Sequence, residues 1–198
     1  MTKLIFCVNW IVYIVQRLYF LREDNKIFEA FASCLAPTIF AHQFYRVFTS
    51  VFTHGNLAHI LLNTHGILVV GNWVENAYGS IFYAFINLWL LLASNLMELG
   101  FQLSMVYVVP VSLVDLSFLL QCGVGYSGIL YGLLMIQVCC SQEKYLTVLG
   151  FKICYFLYPI ALIIATAVLV PNTSTSGHVC GVVASFLLMN CGLSIFIP

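Results

Sequence analysis

Long apolar runs with almost no charge inside them constrain this chain more than any other feature. Charged residues make up 7% of the 198 and hydrophobic residues 62%, against roughly 25% charged in an average soluble domain. Such a chain cannot cover a water-facing surface of normal size, so its solvent is largely lipid. In lipid every backbone N–H and C=O must be satisfied internally, which permits helices or a closed barrel. Barrel strands alternate apolar and polar with period two, whereas these runs are continuous, so the expected class is an all-α membrane protein. The formal net charge is zero, and Lys3, Arg17, Arg22, Lys26, Arg46, Lys144 and Lys152 are scattered. That leaves no electrostatic case for nucleic acid.

A membrane helix needs about 20 apolar residues. The runs place spans near 4–21, 56–74, 80–97, 127–142, 151–170 and 178–196, within a single domain covering 1–198. The first run, after Lys3, also has the look of a signal-peptide core. Gln16 and Arg17 follow where a small-residue cleavage site would stand, which favours a first span. Residues 22–55 form a long, partly wet loop in which 35–51 is amphipathic enough to lie in the interface. Residues 101–122 are apolar but carry Pro110 and Asp115. A crossing there would put Ser127 and His178 on opposite faces, so the segment is read as re-entrant or interfacial. Lysine and arginine divide evenly between the two sides and leave the orientation open. Among eight cysteines there is no CxxC pair and hence no zinc or thioredoxin-like signature. A Cys34–Cys122 pairing is conceivable, but loop positions set no geometry, and the reading leans against it. Asn172-Thr173-Ser174 matches a glycosylation sequon but lies too close to a span for ready use.

Polar groups in hydrocarbon are costly, so each needs a partner or a task. The candidates are His54, His59, Asn63, His65, Glu75, Ser127 and His178. His59 and Asn63 are four apart and share one helix face. Two fixed donors on one face suit a developing oxyanion, although the pair alone reads more simply as interhelical hydrogen bonding. Ser127 sits in Gly125-Tyr126-Ser127-Gly128 at a helix start, where backbone N–H groups are free and the helix dipole is positive. Tyr131 lies one turn on, placed to stack on an imidazole. His178 opens the last span, with Gly181 and then Ser185 deeper in it. Gly128 and Gly132 repeat that small-xxx-small spacing, so the two helices have matching faces for close approach.

Taken together, from about residue 45 to 190, these residues resemble the rhomboid family of intramembrane serine proteases. The resemblance rests on Tyr45-Arg46 (Tyr where Trp is usual), the His54, His59, Asn63 spacing, Gly71 and Glu75, Gly125-x-Ser127-Gly128 with Tyr131, and His178 with Gly181 and Ser185. Ser185 stands where Gly is frequent, and the stretch from Glu75 to Ser127 is longer than in minimal bacterial members. The chain stops soon after the sixth span, as in members with the minimal core.

The resemblance implies a six-transmembrane-helix rhomboid-like bundle with a Ser127–His178 dyad and no required Asp. It implies an oxyanion site of His59, Asn63 and the Ser127 N–H, where each donor is worth about 3–4 kcal/mol. Tyr131, Gly125, Gly128 and Gly181 would support that site, while Arg46, His54 and Glu75 would tie the first loop to the second span. The substrates would be single-span membrane proteins cut within the bilayer, with no metal and no cofactor. HExxH is absent. The Val124–Gly128 context resembles secretory-pathway rhomboids of eukaryotes more than mitochondrial ones. The alternative is an inactive relative that binds client membrane helices. A small transporter would instead place its ionisable groups near the midplane on broken helices.

Overall fold

The computed structural model describes residues 1–20, 30–108, 122–148, 150–170 and 173–190. It is predominantly helical. The main helices are α1 (Thr2–Phe20), α2 (Arg46–Phe52), α3 (Leu57–Tyr78), α4 (Ser80–Val108), α5 (Ser127–Cys140), α6 (Tyr158–Leu169) and α7 (Thr175–Asn190). The middle of α3, Ile67–Gly71, is a π-helical turn. Two small antiparallel sheets accompany the helices, β1 (Ser33–Cys34) with β2 (Cys122–Gly123) and β3 (Tyr145–Val148) with β4 (Phe151–Cys154). The chain is therefore not purely α.

The bundle is built around α5. Ile129, Tyr131, Gly132, Leu133, Leu134, Met135, Ile136 and Val138 are all buried, so this helix has no single apolar stripe and is covered on every side. α4 and α7 pack along it and against each other. Tyr83, Ile86, Leu90 and Leu99 of α4 join Ile129, Leu133 and Ile136 in the core. On the outside, Leu61, Leu62, Ile81, Ile164, Val168 and Leu169 are exposed. Large apolar side chains facing out along helices are what a hydrocarbon solvent requires.

Two described helices, Leu57–Tyr78 and Ser80–Val108, are long and apolar enough to cross a bilayer by themselves, and Ser127–Cys140, Tyr155–Leu169 and Thr175–Asn190 are shorter apolar helices. α1 forms where the first span is expected but is not one of the two. It carries Thr2, Lys3, Asn9, Gln16 and Arg17.

Several expected boundaries are corrected. The third run does not stop at 97: α4 continues to Val108, because Pro110 is the first residue past Gly79 that forbids helix. Residues 101–108 are thus part of α4 and not of a separate re-entrant segment. Pro110, Asp115 and the rest of 109–121 lie outside the described residues. The run expected at 151–170 opens as strand β4, paired with β3 in the register Tyr145↔Cys154. The turn between them includes Gly150 at φ +85°, and helix begins only after Cys154. The last helix starts earlier than 178, at Thr175, and 191–196 lie outside the described residues, as does Asn172 of the sequon.

The first loop departs furthest from its expected form. In place of one amphipathic helix over 35–51 there is a π-helical turn at Ala36–Phe40 and then α2. Pro37 in that turn and the bend at Ala41–Tyr45 interrupt the periodicity. Arg46, Val47, Ser50 and Val51 are buried, so α2 packs one face inward, while Phe44, Tyr45 and Phe48 stay exposed. Cys34 and Cys122 form a disulfide across 88 residues of sequence, which corrects the leaning against that pair. β1–β2 pairing supplies the geometry that loop positions alone did not, with Cys34 and Cys122 directly opposite each other.

Candidate active site

The N-terminus of α5 and the first turn of α7 meet at the same level. Ser127, the first residue of α5, has its Oγ 2.9 Å from His178 Nε2. With a neutral imidazole that geometry has the hydroxyl donating to Nε2, which puts the ring proton on Nδ1. His178 is buried, and Nδ1 has no hydrogen-bond partner among the described residues. Tyr131, one turn below Ser127, lies against the imidazole with ring centroids 4.3 Å apart at 35°. Its hydroxyl bonds to Thr166 Oγ1 at 3.0 Å and to the Leu162 carbonyl at 3.3 Å, both on α6. The tyrosine is therefore held at both ends, and the imidazole ring is fixed in one plane.

The helices come this close because neither carries side chains where they cross. A Cβ added to Gly181 would run into the Gly128 carbonyl. One added to Gly132 would sit 2.9 Å from the Gly181 carbonyl, and one on Gly128 would sit 3.4 Å from the Gly177 carbonyl. The small-residue spacing on the two helices is thus used for contact between α5 and α7.

The approach to Ser127 is shaped by the first loop. Gly125 has φ +103°, a left-handed conformation that favours glycine, and its N–H donates to the Ser50 carbonyl at 2.9 Å. A Cβ here would lie 2.5 Å from His59 Nε2 and 3.0 Å from Asn63 Nδ2. Both α3 side chains therefore point at the turn that leads into Ser127. Tyr126, fully buried, donates its hydroxyl to Asn87 Oδ1 of α4, and Asn87 Nδ2 is itself held by the Tyr83 carbonyl at 2.7 Å. The turn is clamped by the first loop on one side and α4 on the other.

His54 sets the orientation of Asn63. His54 Nδ1–H donates to the Phe52 carbonyl at 3.1 Å, which leaves Nε2 as the acceptor for an Asn63 Nδ2–H at 2.9 Å. One amide proton of Asn63 is thereby committed, and its second remains for another acceptor. Burial and the neighbouring His59 hold the His54 pKa down to about 3, so His54 stays neutral and keeps that acceptor role at physiological pH. Its backbone is fixed by Gln16 of α1 through a pair of hydrogen bonds at 3.1 and 3.2 Å.

The other singled-out residues lie elsewhere. Arg46 bonds within the first loop, to Gln43 Oε1 at 2.7 Å and the Ala32 carbonyl at 2.9 Å. Glu75 accepts from the Thr2 N–H at 2.7 Å and from Ser80 Oγ at 2.5 Å. Among the described residues Glu75 thus joins α3 to α1 and α4, while His54 ties the first loop to α3 directly through Asn63. Ser185 bonds back to the Val182 carbonyl at 2.6 Å. Sequence reasoning passed over Asn87 and Glu98. The signal was there: Asn87, Ser94 and Glu98 recur along one face of a mostly apolar helix, and polar groups in such a helix need partners.

Residues 41–194 match the family model for the Rhomboid domain. The chain is 29% identical over 156 residues to Rhomboid-like protein 15 of Arabidopsis thaliana, an alignment covering 77% of this chain and 38% of that protein. It is 25% identical over 142 residues to Rhomboid-related protein 4 of Mus musculus, covering 72% of this chain and 44% of the relative. The chain spans less than half the length of either relative. With most of its length under the family model and its helices apolar, the chain belongs to the rhomboid family and is a membrane protein.

Proposed function

We propose that this rhomboid-family chain is an intramembrane serine endopeptidase that cleaves transmembrane segments of single-span membrane proteins. One observation carries the reading: Ser127 Oγ lies 2.9 Å from His178 Nε2, and His59 and Asn63 face the turn immediately before the serine. Nucleophile and base are within hydrogen-bond reach, and candidate oxyanion donors stand on the neighbouring helix, the arrangement acyl transfer requires.

In the proposed reaction Ser127 Oγ attacks a peptide carbonyl as His178 Nε2 takes its proton. The tetrahedral oxyanion is held by the Ser127 N–H, the second amide proton of Asn63, and His59. Collapse to the acyl-enzyme expels the amine, which takes the proton from His178. A water molecule, deprotonated by the same nitrogen, then releases the acid and restores the serine. The stacked Tyr131 keeps the imidazole in plane through both halves. No metal or cofactor enters the scheme, because the histidine supplies the base that a metal hydroxide would otherwise provide.

The six-span arrangement belongs to the same proposal, with α1, α3, α4, α5, Tyr155–Leu169 and α7 as crossings in a multi-pass, secretory-pathway protein. At 14 residues and about 1.5 Å per residue, α5 is shorter than the roughly 30 Å hydrocarbon core. Its N-terminus then lies below the membrane surface, where an unwound substrate segment and water can both reach it. The test is cleavage of a panel of co-expressed single-span proteins by wild type, Ser127→Ala and His178→Ala. Both variants should fall to background while inserting and folding normally. A wild type that cuts nothing and does not react with a fluorophosphonate probe would point instead to client binding without cleavage.

A further inference from the structure

Glu98 on α4 reaches the mouth of α7. Its Oε1 accepts from Ser174 Oγ at 2.5 Å and from Ser176 Oγ at 3.0 Å. Ser174 immediately precedes α7 and caps it: its Oγ accepts the Gly177 N–H at 3.1 Å, and its carbonyl accepts the His178 N–H at 3.2 Å. An N-cap side chain satisfies one of the donors that the first helical turn leaves without an intrahelical partner. Donating its own proton to Glu98 fixes the rotamer in which Ser174 can do this. Gly177 belongs to the same assembly, since a Cβ there would strike the Glu98 carboxylate and lie 3.0 Å from Ser174 Oγ. Its carbonyl in turn packs on Gly128, next to Ser127. A continuous chain of contacts therefore runs from the Glu98 carboxylate through the cap to the backbone of His178, and from there to the serine.

We infer that Glu98 is a positioning residue that latches the first turn of α7 and so sets His178 against Ser127. The inference rests on the protease reading for its effect on catalysis, but the latch itself is a property of the α7 turn. Glu98 acts as a hydrogen-bond acceptor for two hydroxyls, so an amide oxygen in the same place should serve. A misplacement of about 1 Å at reacting atoms can cost on the order of 10²-fold. Glu98→Ala should accordingly lower kcat roughly 10- to 100-fold with KM little changed, and Glu98→Gln should restore it to within about threefold of wild type. Ser174→Ala should lose a similar factor, and the double variant should lose no more than either single one, because both remove the same latch.

The experiment pairs those kinetics with amide hydrogen exchange at Gly177 and His178, measured for Glu98→Ala, Glu98→Gln and Ser174→Ala in a Ser127→Ala background where turnover plays no part. Faster exchange in both alanine variants and wild-type exchange in the glutamine variant is the expected result. Unchanged exchange in Glu98→Ala, a glutamine variant as slow as the alanine one, or additive losses in the double variant would each overturn the latch. An inert wild-type chain in which Glu98→Ala still frees the turn would sink the protease reading and leave the latch standing.

Discussion

At the scale of single residues, the site depends on which atoms are already committed. Asn63 spends one amide proton on His54 and has one left. If that proton meets the oxyanion, Asn63→Ala should lower kcat by roughly 10²–10³-fold with little change in KM. Steady-state cleavage of a reconstituted substrate measures this, and a variant within threefold of wild type would remove Asn63 from the oxyanion site. His54 acts on the site through its bond to Asn63, so His54→Ala should be milder than Asn63→Ala. Combining the two changes should cost little more than Asn63→Ala alone. The spacing of His54, His59, Asn63, Ser127, Tyr131 and His178 was legible in the sequence because each residue punctuates an apolar run. What it did not convey was the division of labour between His54 and Asn63. That follows from the carbonyl of Phe52 claiming one imidazole nitrogen, a detail of loop geometry.

At the scale of elements, α5 and α7 are held together by missing side chains. The crossing at Gly128 and Gly181 leaves no room for a methyl group, and the atom in the way belongs to backbone. Gly181→Ala should therefore force the helices apart, at a cost of about 1–3 kcal/mol typical of overpacking. Thermal unfolding in detergent should show a lowered midpoint together with a loss of cleavage larger than the loss of folded protein. A stable Gly181→Ala variant with full activity would mean that the helices are not seated as described. The periodicity of small residues announced this contact in advance. The β3–β4 hairpin was not announced, because a short apolar run reads alike as strand or helix until Gly150 is seen to turn it.

At the scale of the molecule, the Cys34–Cys122 bridge joins the first loop to the segment entering α5. Closing a loop of this length stabilises by roughly 4–5 kcal/mol in the chain-entropy model. Replacing both cysteines by serine, or adding reductant, should lower the melting temperature, and the bridge should shift mobility on a non-reducing gel. A bridge of this kind persists in an oxidising compartment, which would put the mouth of the site on the lumenal or outer side. Lysine and arginine counts had left that orientation open. The sequence by itself determined the solvent, the helical class, the family resemblance and the order of the polar residues, since these follow from composition and local spacing. Only the tertiary structure decided that two cysteines 88 residues apart meet and that Glu98 reaches the mouth of α7. The physical reason is that each of these depends on a partner remote in the chain, and no local pattern of residues carries the distance between them.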